Sequence, residues 1–96
     1  NMNFVLAILE KEDAYGYTLT AQVKEIVDIS ESTLYPVLRR LQKDNCLTTY
    51  DQPFQGRNRR YYQLTDTGKE KLTFYKKEWE SYKNKIDTLL GGISYE

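Results

Sequence analysis

The chain has 96 residues, enough for one small domain with a modest core. Its 14 basic and 14 acidic residues cancel, and it holds no histidine and one cysteine, which excludes an internal disulfide, the usual Cys/His zinc spacings and any histidine-activated nucleophile. The longest apolar run, Phe4 to Leu9, is too short to span a bilayer and no signal-peptide pattern precedes it, so a folded cytoplasmic protein without a membrane part is expected.

The first segment, NFVLAILEKED, reads as a helix. Phe4 to Leu9 are consecutive apolar residues, so this helix is apolar all round and needs cover on two sides. Tyr15-Gly16-Tyr17 reads as a turn. A second helix is expected from about Thr18 to Val27, with Leu19, Val23, Ile26 and Val27 at helical spacing.

The third helix is SESTLYPVLRRLQKDN. Ser30 or Ser32 supplies a hydroxyl to cap it, and Pro36 is tolerated near its start. Leu34, Val37, Leu38 and Leu41 form the buried stripe, while Ser32, Pro36, Arg39 and Lys43 share the opposite face, flanked by Thr33, Tyr35 and Arg40. Asn45 is the expected left-handed stop, and Cys46 after it is expected to pack inside.

CLTTY and RYYQL read as two short strands joined by the loop DQPFQGRNR, whose tip carries Arg57, Asn58, Arg59 and Arg60. Of Tyr61 and Tyr62, strand alternation sends one inward. Thr65 or Asp66 caps a last helix, and Gly91-Gly92 ends it. Along that helix Leu72, Tyr75, Trp79, Tyr82, Ile86 and Leu89 alternate by three and four, which is a heptad seam.

The predicted fold is mainly α with a small β-hairpin: a winged helix-turn-helix over residues 1–65 and a dimerisation helix over residues 66–92. Residues 1–29 hold two lysines against five acids, whereas residues 30–62 hold six basic residues against three acids. A local basic centre of this kind serves as a phosphate-binding face, or is simply a solvated surface. Hydroxyls at Ser32 and Thr33 suit close approach to phosphates or base edges, and Arg39 and Lys43 reach guanine edges or phosphates. The hairpin arginines suit the minor groove or the phosphate rail, whereas Arg40, off the centre of the exposed face, is read as an intramolecular ion-pair partner. The seam, with Phe4 and Ile8 of the first helix, is expected to form a homodimer; a monomer in which the last helix covers its own core is the plainer alternative. No catalytic pair, phosphate loop or cofactor site is evident, so no enzyme is expected. The rival function is a winged-helix module that binds protein and not DNA.

YGYTL, STLYPVLRRLQKDN and GRNRRYYQLTDTG resemble the PadR family of bacterial transcriptional regulators, and the likeness runs from about Phe4 to Leu90. It implies a homodimeric winged-helix repressor of double-stranded DNA that a small molecule releases. It also implies that Ser32, Thr33, Tyr35, Pro36 and Arg39 read DNA, that Arg57, Asn58, Arg59 and Arg60 form the wing, and that the single C-terminal helix pairs across the dimer. Trp79 matches a tryptophan that, in the multidrug-responsive subset, flanks a flat cavity for planar aromatic effectors. Ala7 leaves room beside such a ring; by spacing alone, Trp79 is interface core. Two positions depart from the family pattern: Asn45 replaces a common glycine, and Asn58 interrupts the basic run of the wing.

Overall fold

The computed structural model describes residues 2–91. Its elements are α1 (Met2–Lys11), β1 (Ala14–Tyr15), α2 (Gly16–Ile26), α3 (Glu31–Lys43), β2 (Leu47–Phe54), β3 (Arg57–Leu64) and α4 (Asp66–Leu89). The three strands form one antiparallel sheet in the order β1-β3-β2. This is the expected winged helix-turn-helix with a long last helix, plus one short strand where a turn was expected. Ala14 and Tyr15 pair with Tyr62 and Tyr61, and α2 begins directly afterwards at Gly16, two residues before the expected Thr18.

One core holds the elements together. Val5, Leu6 and Leu9 of α1, Leu19 and Val23 of α2, and Leu34, Leu38 and Leu41 of α3 are buried with Cys46, Leu47, Leu64 and Leu72. The all-apolar α1 therefore turns one side fully inward, while Phe4, Ala7 and Ile8 on its other side stay half-exposed. Ile26, expected on the α2 stripe, is 54% exposed because it sits at the last residue of that helix.

The end of α3 is a Schellman turn. Asn45 takes φ 62°, the Cys46 amide donates to the Leu41 carbonyl at 2.8 Å, and the Asn45 amide donates to Gln42 at 3.0 Å. Buried Cys46 and Leu41 supply the apolar contact that accompanies this turn. Thr65, the cap of α4, locks onto it. Its amide donates to the Cys46 carbonyl, its hydroxyl donates to the Asn45 carbonyl at 2.6 Å, and the same oxygen accepts from the Gly68 amide at 3.0 Å. The stop of α3 and the start of α4 are thus one hydrogen-bonded unit.

Two corrections concern the hairpin and α3. The nine-residue loop is in fact a two-residue turn, Gln55-Gly56, between strands of eight residues each. Both turn residues have positive φ, 50° and 77°, as a type I′ turn requires. Pro53 does not break β2, because β2 is an edge strand. Phe54 and Arg57 flank the turn as the hydrogen-bonded pair, so the next pair, Pro53–Asn58, leaves the missing N–H pointing away from β3.

Ser30 is the N-cap of α3 by backbone conformation, yet its hydroxyl bonds no amide; it joins the hydroxyls of Ser32 and Thr33, each at 3.0 Å. Pro36 is the sixth residue of α3 and not part of its first turn, so the Ser32 carbonyl loses its helical partner. Because Pro36 is exposed and packs on nothing in the core, Pro36→Ala should raise stability by about 1 kcal/mol. That is the restored helix bond less the entropy returned to the unfolded chain; urea unfolding reads it as a higher midpoint at constant slope.

α4 is 24 residues long and gives the protein an elongated shape, 57 × 26 × 25 Å. Its first turns belong to the core, and Lys76 pairs with Glu10 of α1 at 2.8 Å. Leu72, placed on the dimerisation seam by its spacing, is 1% exposed inside its own subunit and is not available to a partner. Further along, Tyr75 is half-buried against the core, and Trp79 (52%), Tyr82 (57%) and Leu89 (78%) are exposed. Gly91 lies just past the helix at φ 89°; Gly92, the second glycine of the expected stop and the end of the expected dimerisation segment, lies outside the described residues.

Candidate nucleic-acid interface

The α3 face opposite the core stripe is open along its whole length. Ser32, Thr33, Tyr35, Pro36, Arg39 and Lys43 are all exposed. Among the described residues neither Arg39 nor Lys43 makes an ion pair, whereas Arg40 pairs with Asp44 at 3.3 Å, the intramolecular role expected of it. A cation held by a neighbouring carboxylate is partly neutralised, so Arg39 and Lys43 are the two charges this helix offers a phosphate or a base. No side chain caps the first amides of α3, and the positive end of the helix opens among three hydroxyls.

The wing follows α3 in the chain, and its first strand β2 packs beside that helix. In β3, alternation puts Asn58, Arg60, Tyr62 and Leu64 on the side of the helices and Arg57, Arg59, Tyr61 and Gln63 on the other. Tyr62 is the junction. Burial pushes its phenol above the ordinary tyrosine value; the Arg60 guanidinium draws it back, the Tyr35 phenol adds to the rise, and the Arg39 guanidinium lowers it again. Tyr35 and Arg39 of α3 and Arg60 of the wing thus all act electrostatically on the Tyr62 phenol. Gly16 completes the junction, since a Cβ there would stand 3.3 Å from the Tyr62 ring.

The four wing residues expected to act together are separated in the fold. Arg57 and Asn58 are exposed beside the turn, and Arg60 is exposed with its guanidinium 3.6 Å from Asp51 on the facing strand. Arg59 is half-buried and points to the outer side, over the rings of Phe54 and Tyr15. That outer side also carries contacts the sequence did not disclose. Tyr50 stacks on Tyr61, and its hydroxyl donates to Asp13 at 2.6 Å, which raises the Tyr50 phenol above its usual value. Had RNRRYYQL been read as strand throughout, its period of two would have split these residues between two faces.

Away from the wing, Trp79 and Tyr82 stand 5.9 Å apart on α4, tilted by 36°. Ala7 and Ile8 line a shallow groove between α1 and α2 with Phe4 and Ile26. Among the described residues no three metal-ligating side chains converge, and no helix is long and apolar enough to cross a membrane.

Residues 5–74 match the model of the Transcriptional regulator PadR-like family. The chain belongs to that family. It is therefore a PadR-like transcriptional regulator, and its solved relatives share the whole architecture. The protein smu.1704 of Streptococcus mutans UA159 superposes with a TM-score of 0.87 at 46% identity, over 99% of this chain and 91% of that one. A PadR family transcription regulator from Clostridium difficile R20291 superposes with a TM-score of 0.83 at 35% identity, over 94% of this chain and 98% of its own. In sequence, the transcriptional regulator Rv3488 of Mycobacterium tuberculosis is 36% identical over 84 residues, 86% of this chain and 76% of that protein.

Proposed function

We propose that this PadR-like regulator binds double-stranded DNA as a homodimer and represses transcription from an inverted-repeat operator. The observation that carries the reading is the open face of α3, where Ser32, Thr33, Tyr35, Arg39 and Lys43 are exposed and neither Arg39 nor Lys43 makes an ion pair among the described residues, together with the exposed Arg57 and Arg60 of the hairpin. In a winged helix-turn-helix, α3 enters the major groove and the hairpin follows the backbone or the minor groove. Ser32, Thr33, Tyr35 and Pro36 then approach the groove with Arg39, and Arg57, Asn58 and Arg60 reach the flanking strand. The reading unit is residues 1–65 together with the first turns of α4, whose Leu72 completes its core.

The second copy is supported by the exposed row on α4. Trp79, Tyr82 and Leu89 are large apolar side chains left open on a helix that projects from its own core, with the half-exposed Ile86 between them. Pairing this row with its symmetry mate, and with the half-exposed Phe4 and Ile8, buries what one subunit cannot. Two reading helices then address major grooves about 34 Å apart. An effector fits the same place: a planar aromatic compound between paired α4 helices would lie against Trp79, near Ala7, and release DNA by changing the distance between the readers.

Three measurements on the purified protein test this. Sedimentation should give twice the 11.4 kDa chain mass. A gel shift on DNA from upstream of its own gene should show binding that weakens with salt, by a slope of about 0.9 for each phosphate neutralised. Trp79 emission should respond to some members of a panel of planar aromatic compounds. A monomer, an unshifted operator or an unchanged emission would each remove the corresponding part of the proposal.

A further inference from the structure

The outer side of the sheet holds a row of contacts that the operator-facing side does not use. The Arg59 guanidinium carbon lies 4.0 Å from the centre of the Phe54 ring and 4.6 Å from the centre of the Tyr15 ring. Phe54 belongs to β2 and Tyr15 to β1, the two strands that flank β3. One side chain therefore bridges all three strands. From Tyr15 the row continues to Tyr61 at 6.0 Å, then to Tyr50, stacked at 5.5 Å, and ends at Asp13 between α1 and β1.

We propose that Arg59 is a positioning residue that holds the wing against the helical body, and does not itself touch DNA. The inference rests on the DNA-binding reading for its consequence, though not for its structural content. Beyond Tyr61, β3 has no neighbour but β2, because β1 pairs only with Tyr61 and Tyr62. The outer half of the hairpin is thus a two-stranded ribbon, a form of marginal stability in water. Arg59 is what ties that ribbon back to β1. A planar guanidinium suits the role, since it covers an aromatic face and keeps its edge hydrated.

To reach a phosphate, Arg59 would have to leave both rings and turn away from the side on which it is half-buried. Arg57 faces no such loss, and Arg60 would give up only its exposed 3.6 Å ion pair with Asp51. Arg60 sits one residue along on the opposite side of the sheet, beside Tyr62, so its distance from α3 depends on the angle of the ribbon that Arg59 fixes. Removing Arg59 should therefore misplace the charges that bind, without taking away one of them.

Amide exchange of the free protein decides the structural claim whether or not DNA is ever bound. In Arg59→Leu, the ladder amides of Gln52, Phe54, Arg57 and residue 59 itself should exchange about tenfold faster relative to those at the base of the ribbon, the scale of removing two cation–π interactions. Phe54→Leu, which removes no charge and one of the two cation–π contacts, should give a smaller rise, about threefold, and the double variant little more than Arg59→Leu alone. Unchanged exchange in Arg59→Leu overturns the proposal. With operator DNA, Arg59→Leu and Phe54→Leu should both weaken binding at an unaltered salt slope, while Arg57→Ala lowers the slope by about 0.9 for each phosphate it no longer neutralises. A slope reduced in Arg59→Leu as it is in Arg57→Ala, with Phe54→Leu neutral, overturns it too. A wild type that binds no DNA would sink the proposed function and still leave the exchange result to judge the clamp.

Discussion

Gly68→Ala should destabilise the protein by about 2–3 kcal/mol, the largest loss expected from adding one methyl group to this chain. Two effects oppose each other at this position. Gly68 lies in the first turn of α4, where alanine is intrinsically better by roughly 1 kcal/mol because it orders less backbone freedom. Against that, a Cβ at Gly68 would stand 2.6 Å from Leu64 Cδ1 and closer still to the Cys46 carbonyl oxygen. The carbonyl cannot yield alone, since it accepts from the Thr65 amide and belongs to the turn that ends α3. Relieving the clash means moving α4 away from that turn, which strains the Thr65 hydrogen bonds and opens the core around Leu72. The steric term wins. Gly56 and Gly91 are the controls: a Cβ there meets nothing within 4 Å, and the cost is limited to their positive φ. Urea unfolding at one fixed protein concentration should show a lower midpoint for Gly68→Ala than for either control.

Gly68 also illustrates what the sequence could and could not disclose. Read locally, Thr65-Asp66-x-Gly68 marks the end of a strand and the start of a helix, and both are where they were expected. That this glycine admits the carbonyl of Cys46, 22 positions earlier, is a fact of packing between elements, and no periodicity encodes it. The same division runs through the molecule. The three-and-four spacing of Leu34, Leu38 and Leu41 reflects one helix burying one stripe, and the exposed set on α3 followed from it. The wing was harder. Pro53 and Gly56 are turn residues by composition, and only the edge position of β2 and the tight Gln55-Gly56 turn explain why β2 runs past Pro53 to Phe54 and β3 starts directly after Gly56. Strands that stop short of those residues carry no alternation through Arg59 and Arg60, so nothing local sends one outward and the other inward. The seam of α4 shows the opposite error: an unbroken heptad pattern hides that Leu72 answers to its own core while Trp79, Tyr82 and Leu89 are open, because both surroundings favour the same residue types.

Arg39→Ala should weaken operator binding by roughly 2–4 kcal/mol, about thirty- to a thousandfold, if a dimer gives up one base or phosphate interaction in each half-site. Stability should hardly change, because Arg39 is exposed and carries no ion pair among the described residues. Arg40→Ala separates position from charge. It removes the same charge from the next residue of the same helix, yet Arg40 already pairs with Asp44, so its loss should cost no more than a few-fold. Salt dependence then tells what Arg39 touches. If it neutralises a phosphate, the variant weakens binding uniformly across sequences and the salt slope falls by about 0.9 in each half-site. If it reads a base, the slope holds and discrimination disappears at one symmetric pair of positions. Equal affinity of wild type and Arg39→Ala would take α3 out of the groove, and with it the one face on which the DNA-binding reading stands.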